Sequence, residues 1–399
     1  MSTLTLSHND PVRLAPALAA RIQTALLAAL IAASAGCVAG AVYEPSRFFG
    51  SYLVALLFVL SIALGALFWV MLHHLTGAIW SVVIRRVMEQ FCRTIPWLGL
   101  LFLPIVFGMS HLYSWTDAGH LADPVLQAKQ PYLNVPFFLI RATGYFAVWS
   151  WLALRMSNWS LRQDLDGNVE WTVRMRNLSG VGVLLLAVTS TFAAFDWIMS
   201  LDPHWYSTIF GIYFWSGSIV GSLAAIVALV MILRSVGLLV GVVTQEHLHD
   251  LGKLLFGFAI FWAYIAFSQY FLIWYGNIPE ETIWYIRRLK GNWSYVAVAL
   301  SVGHFVIPFI ILLSRSAKRN PSIMGSAAVV VLCFHYLDLY WQIMPELQPH
   351  GPDLHWIDAA TLVGIVASCG LVILHGARRD ALIPIRDPQL QASLQSLSE

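Results

Sequence analysis

The chain has 399 residues, of which 58% are hydrophobic and only 11% charged. An ordinary globular domain carries about 25% charged residues, so most of this surface cannot face water. A soluble multidomain enzyme, a disordered tail and a nucleic-acid binder are excluded. The net charge of +2 names no partner, and the positions of the charges matter more than their sum.

A bilayer span needs ~20 mostly apolar residues. Ten runs qualify: 17–43, 51–75, 95–113, 134–155, 179–200, 207–234, 254–276, 293–314, 322–344 and 355–377. The first is longer than the ~7–15-residue core of a signal peptide and lacks a clear cleavage site, so it reads as a span. Orientation follows from Lys and Arg. The termini and one set of loops hold 17 of the 23 basic residues, including Arg85, Arg86, Arg162, Arg176, Arg315 and Arg379. The opposite loops hold 5, namely Arg47, Lys129, Arg287, Arg288 and Lys290, and Arg141 lies within a run. This split predicts an all-α integral membrane protein of ten transmembrane helices with both termini cytoplasmic. Residues 1–399 form a single membrane domain.

Between the runs, residues 279–291 (PEETIWYIRRLKG) predict a short helix lying in the outer interface, with Pro and two Glu at its start and Arg at its end. Residues 156–178 read as the largest inner polar loop, turning at Asp166-Gly167. His247 and His249, beside Glu246 and Asp250, read as a solvated inner loop rather than a metal site. The four cysteines, Cys37, Cys92, Cys333 and Cys369, form no CxxC pair, so neither a disulfide framework nor an iron–sulfur cluster is expected. There is no Walker loop and no dinucleotide fingerprint. The glycine pairs Gly36/Gly40, Gly217/Gly221 and Gly237/Gly241 permit close helix approach.

The fifth run ends FDWIMSLDPHW (195–205) and the ninth LDLYWQIMPELQPH (337–350). Each places an Asp in its outer part, then aromatic residues, Ile-Met, an acid and Pro. A four-run offset preserves direction through the membrane. It predicts two four-helix bundles, runs 2–5 (51–200) and 6–9 (207–344), flanked by runs 1 and 10.

Ionisable residues inside spans are costly and therefore functional candidates. Arg141 lies about two turns into the fourth run, counting 3.6 residues per turn, near Asp196 on the fifth. With His111 and His204 on the same side, they can form a pocket for a quinone head group. The alternative is an ion pair that only neutralises two buried charges. His335 and Asp338 share a helix face at spacing i, i+3, and His304 comes from the neighbouring run. These three suit a proton relay, since His titrates near neutrality, or a polar core that fixes helix register. His73 and His74, about 100° apart on one helix, can form the inner mouth of that relay. A bis-His haem between His304 and His335 is a further alternative.

Two strings, FAAFDWIMSLDPHWYSTIFGIYFWSGS (192–218) and DLGKLLFGFAIFWAYIAFSQYFLIWYGNIPEET (250–282), resemble the ActF-type membrane subunits of bacterial alternative complex III. These belong to the polysulfide-reductase (NrfD-like) integral membrane family. The resemblance implies two four-helix bundles with flanking helices. It also implies a quinol:electron-acceptor oxidoreductase of the bacterial inner (cytoplasmic) membrane. Expected partners are a sister NrfD-like subunit, an iron–sulfur subunit, haem c subunits, membrane lipid and a terminal oxidase or cytochrome c acceptor. Haem and iron–sulfur clusters are expected on those partners, with no redox metal on this chain. The sister subunit's quinol site uses a His and carboxylates. Here Arg141 stands where an acid is expected, which points away from quinol oxidation by this chain and towards anchoring and proton conduction. A free-standing proton-coupled transporter is the rival expectation.

Overall fold

The computed structural model describes residues 12–117 and 123–395. It is 82% helical, with no strand among the described residues. Among the described residues, ten helices are long and apolar enough to cross a membrane, as in a multi-pass membrane protein. They are α1 (Pro16–Tyr43), α2 (Pro45–Thr76), α3 (Val82–Phe107), α4 (Val135–Asp166), α5 (Glu170–Leu201), α6 (Phe210–Ser235), α7 (Gln245–Gly276), α8 (Trp293–Leu313), α9 (Pro321–Leu347) and α10 (Trp356–Arg379). A shorter helix, Pro279–Leu289, lies between α7 and α8 as predicted.

Local chemistry sets the ends. Proline occupies the first turn of α1, α2, α4 and α9, where its missing N–H costs nothing. Asn134 and Asn320 cap α4 and α9 through their side-chain oxygens. Gly77 and Gly167 adopt the left-handed conformation that closes α2 and α4. The segments flanking α1 and α10 meet where Leu382 N–H donates to the Val12 carbonyl. That side is the terminal end below, and the opposite side the distal end.

Several helices outrun their apolar stretches. Residues 156–178 are not a loop. α4 continues to Asp166 and α5 resumes at Glu170, leaving a tight turn at 167–169. Nothing between Ala153 and Asp166 breaks a helix, so the backbone stays helical after the side chains turn polar. α3 begins at Val82 rather than near 95, which places Arg85, Arg86 and Glu89 inside a helix and fully buried. α7 begins at Gln245, so His247 and His249 sit in its first turns, also buried, and His247 forms a capping box with Thr244. Gly237 and Gly241 lie in the loop after α6, both with φ +83°, and are not part of a helix seam.

α2 is the internal helix. In its most apolar stretch 94% of residues are buried, against 11% for α1. It touches α3, α5, α6, α9 and α10, while α6 touches α2, α5, α7 and α9, and α1 packs on α10. Helices in lipid gain no hydrophobic drive from touching each other, so small residues decide which ones come close. A Cβ on Gly65 of α2 would run into the Ser218 carbonyl and the Ser222 hydroxyl of α6. Gly36 and Gly40 similarly seat α1 against Ala360 and Ile357 of α10.

Gly65→Ala is therefore expected to force α2 and α6 apart and to cost ~1–3 kcal/mol, the usual range for overpacking. Gly144→Ala, where nothing lies within 4 Å, is the control expected to stay neutral. Thermal unfolding of the detergent-solubilised protein separates the two.

Candidate functional site

The candidate residues that the sequence singles out inside the spans fall into three separate groups. The first surrounds Asp338. This carboxylate on α9 is 1% exposed. Tyr213 of α6 donates its hydroxyl to Oδ1 at 2.5 Å, and Trp262 of α7 donates its indole N–H to Oδ2 at 3.1 Å. One turn earlier, His335 Nε2 lies 2.8 Å from Ser61 Oγ on α2. Gly217 and Gly221 of α6 leave the space that the His335 ring fills.

His304 completes this group. Its ring centre is 6.2 Å from that of His335 and 4.0 Å from Trp262. It sits in a wide π-turn, Ser301–Val306. Pro308, four residues on, has no N–H to offer the His304 carbonyl, which accounts for the break in regular helix. Such turns recur at functional sites. Neither ring nitrogen of His304, nor Nδ1 of His335, has a hydrogen-bond partner among the described residues. Sequence spacing brought His304, His335 and Asp338 together. It gave no sign of Ser61, Tyr213 or Trp262, which are ordinary residues in apolar helices. The one available signal was Pro308 placed one turn after His304.

The second group lies at the terminal end. His73 Nδ1 is 2.7 Å from Ser81 Oγ, and its Nε2 is 3.1 Å from Arg85 Nη1. Arg85 pairs with Asp387 at 2.6 Å and Glu89 at 3.3 Å, and Arg86 with Glu89 at 2.9 Å and with Asp164. The His74 ring packs edge-on against His73, with centres 4.8 Å apart. A cavity of about 100 Å³ borders His73, Ser81, Trp69 and Trp80. Ser61 and His73 are twelve residues apart on α2, or ~18 Å at 1.5 Å per residue, so this group stands well away from Asp338.

The third group is at the distal end. Arg141 grips Asp196 with both arms, at 2.8 and 2.9 Å, and Tyr145 donates to the same carboxylate at 2.9 Å. Arg141 also donates to the Tyr132 carbonyl and lies over the Tyr132 and Phe137 rings. His111 stacks on Phe49, with centres 5.3 Å apart, and His204 pairs with Asp123 at 2.6 Å. The structure thus joins Arg141 to Asp196 and gives His111 and His204 other partners. The His204 bond holds the half-buried Asp123 carboxyl below its ordinary value, while burial pulls the Lys129 ammonium down. A cavity of about 270 Å³ nearby is bordered by Lys129, Tyr132, Phe195 and Ser200.

Next to the first group, the helix Pro279–Leu289 plugs into the distal end through Arg288. This guanidinium is fully buried over the Trp284 ring, bonded to the Trp341 and Gln342 carbonyls, and 3.0 Å from Glu346. Burial pushes it down to about 10 against the pull of Glu346. The sequence places Arg288 in the last turn of the short outer helix and gives no sign that it is buried.

No model of a known protein family matches the chain, and no curated protein matches it in sequence.

Because Asp196 is sealed, Arg141→Met is expected to leave a buried charge unpaired and to lose ~3–5 kcal/mol. Adding Asp196→Leu removes the orphaned charge and is expected to restore most of that loss. Melting temperatures of the single and double variants in detergent check both statements.

Proposed function

We propose that this chain is a membrane subunit of a quinol:electron-acceptor oxidoreductase complex in the bacterial inner membrane. It anchors the assembly and carries part of a proton pathway. Spans α2–α5 and α6–α9 form its two four-helix bundles, and the terminal end, which holds most of the basic residues, faces the cytoplasm. Support for the complex comes from the two strings at 192–218 and 250–282. Support for the proton role comes from one observation. Asp338, inside a membrane span, is held by the neutral donors Tyr213, Trp262 and Gln342, with His335, His304 and Ser61 within a turn or a ring's width. A buried carboxylate with no cation against it is expensive. A proton is the counter-ion that can come and go, and His side chains are suited to pass it on.

The same reasoning disfavours two other roles. The residues at Arg141 and Asp196 do not fit a quinone head group, because their hydrogen-bonding groups already serve each other, Tyr145 and Tyr132. A haem between His304 and His335 does not fit either. His335 Nε2 is turned to Ser61, and the ring is wedged against Gly217 and Gly221.

The test is Asp338→Asn in the purified complex, reconstituted into vesicles. Proton translocation is expected to fall by more than half while quinol-driven electron transfer stays within about twofold. Unchanged translocation removes the proton role. A chain that purifies without haem c and iron–sulfur subunits removes the complex and favours a free-standing proton-coupled transporter.

A further inference from the structure

The last turns of α6 and the first turns of α9 lie side by side at the terminal end, with a groove of about 720 Å³ between them. That volume falls in the roughly 300–1,000 Å³ range of small-molecule sites. Arg234 and Ser235 of α6 and Ser322 and Ser326 of α9 form its polar end, and Met231 and Val329 its apolar end. Arg234 is the last residue of the sixth apolar run and Ser322 the first of the ninth, so the polar end lies at the edge of the apolar layer. Val329 is seven residues beyond Ser322 and 55% exposed. It stands about 10 Å deeper, at 1.5 Å per residue. The groove thus offers polar groups where a lipid headgroup begins and an apolar wall where its chains run.

The charge at the polar end is not cancelled by the protein. Arg319 pairs with Glu246 at 2.6 Å and Lys253 with Asp250 at 2.8 Å. Arg234 is half-buried, and one of its nitrogens donates to the Val243 carbonyl. No carboxylate stands within 4.0 Å of Arg234, or of Arg315 on the short helix leading into α9, among the described residues. Ser322 and Ser326, at spacing i, i+4 on one face of α9, are exposed, and their hydroxyls bond to no other described residue. The first N–H groups of α9 are not available, because Asn320 already accepts from Ser322 and Ile323.

A guanidinium beside two uncommitted hydroxyls matches a phosphate, which can take two parallel bonds from arginine. Basic pockets between spans recognise acidic headgroups in this way. A choline lipid offers the same phosphate but cancels its charge with its own cation. A soluble phosphate has no chain to cover Met231 and Val329. We infer that this groove holds an acidic glycerophospholipid, with its phosphate at Arg234, Ser322 and Ser326 and one acyl chain along Met231 and Val329. The lipid bridges α6 and α9, the helices that carry Tyr213 and Asp338. No part of the proposed complex or proton pathway is needed for it.

The experiment uses the full chain, in whatever assembly it purifies, embedded in lipid nanodiscs. Phosphatidylglycerol and phosphatidylcholine carrying the same photoreactive acyl chain are run in parallel at equal mole fraction. Labelled peptides are mapped by mass spectrometry. The inference expects phosphatidylglycerol adducts within 229–235 and 322–330, about fivefold above phosphatidylcholine, with the excess shrinking as salt is raised. Arg234→Gln is expected to bring the two lipids within about twofold of each other, while phosphatidylcholine labelling stays as it was. Arg234→Lys is expected to keep most of the excess. Ser326→Trp fills the groove from its exposed edge and is expected to cut phosphatidylglycerol labelling about tenfold, which covers the case in which Arg234→Gln misfolds. Equal labelling by the two lipids in the unaltered chain overturns the inference and leaves a groove filled by bulk lipid. So does a phosphatidylglycerol excess in these segments that survives Arg234→Gln.

Discussion

α2 has almost no lipid-facing side, and the rest of the protein is arranged around that constraint. A helix inside a bundle must find partners for its polar side chains mostly in protein, because neither water nor headgroups can reach it. From the distal end onward, Ser51 donates to Asp358 at 2.5 Å, Ser61 meets His335, and His73 meets Ser81 and Arg85. Gly65 supplies the closest point of the seam, where the α6 backbone takes the place of a side chain. Removing that approach would disturb more than packing. The same seam holds Gly217 and Gly221 against His335, so the depth at which the imidazole sits depends on how closely α2 and α6 meet.

The two acids at matching places in the strings 195–205 and 337–350, Asp196 and Asp338, have different surroundings. Both lie in the distal part of a span and both accept from a tyrosine hydroxyl, Tyr145 in one case and Tyr213 in the other. Asp196 also faces a two-armed guanidinium. Asp338 faces an indole N–H instead. The first arrangement is an internally balanced charge that locks α4 to α5. In the proposed proton role, the second leaves the balance to a mobile proton. One substitution in kind, a cation for a neutral donor, is enough to separate a structural joint from a chemical site.

The spans were legible in the sequence because hydropathy reports solvent, and lipid is the solvent here. The helix ends were less legible for the same reason. At 156–178 and 245–253 the side chains leave the lipid while the backbone stays helical, so a polar stretch reads as a loop when it is a helix reaching beyond the membrane. Arg85 and Arg86 show a second limit. As basic residues near a span end they count towards topology, and that count does not reveal that Glu89, Asp164 and Asp387 bury them. Asp387 is 302 residues from Arg85, and no local pattern announces such a partner. The spacing of His335 and Asp338 was legible because a single helix turn fixes it. Their partners come from α2, α6 and α7, which only the packing brings near.

The separation of the Asp338 and His73 groups bears on how a proton could travel. Between Ser61 and His73, α2 presents Leu64, Gly65, Leu67, Phe68 and Trp69, with no titratable side chain. The hydroxyls nearest this stretch belong to Ser218 and Ser222 of α6. Both donate to carbonyls of their own helix, at 2.8 Å to Phe214 and Ile219. They lie where Gly65 has no side chain to cover them. A continuous file of titratable groups is therefore not what α2 offers. The arrangement is two polar pockets separated by a tight seam of one glycine and two serines. Gly65 sets the distance between the helices at this seam, so under the proposed proton role packing and conduction answer to the same residue.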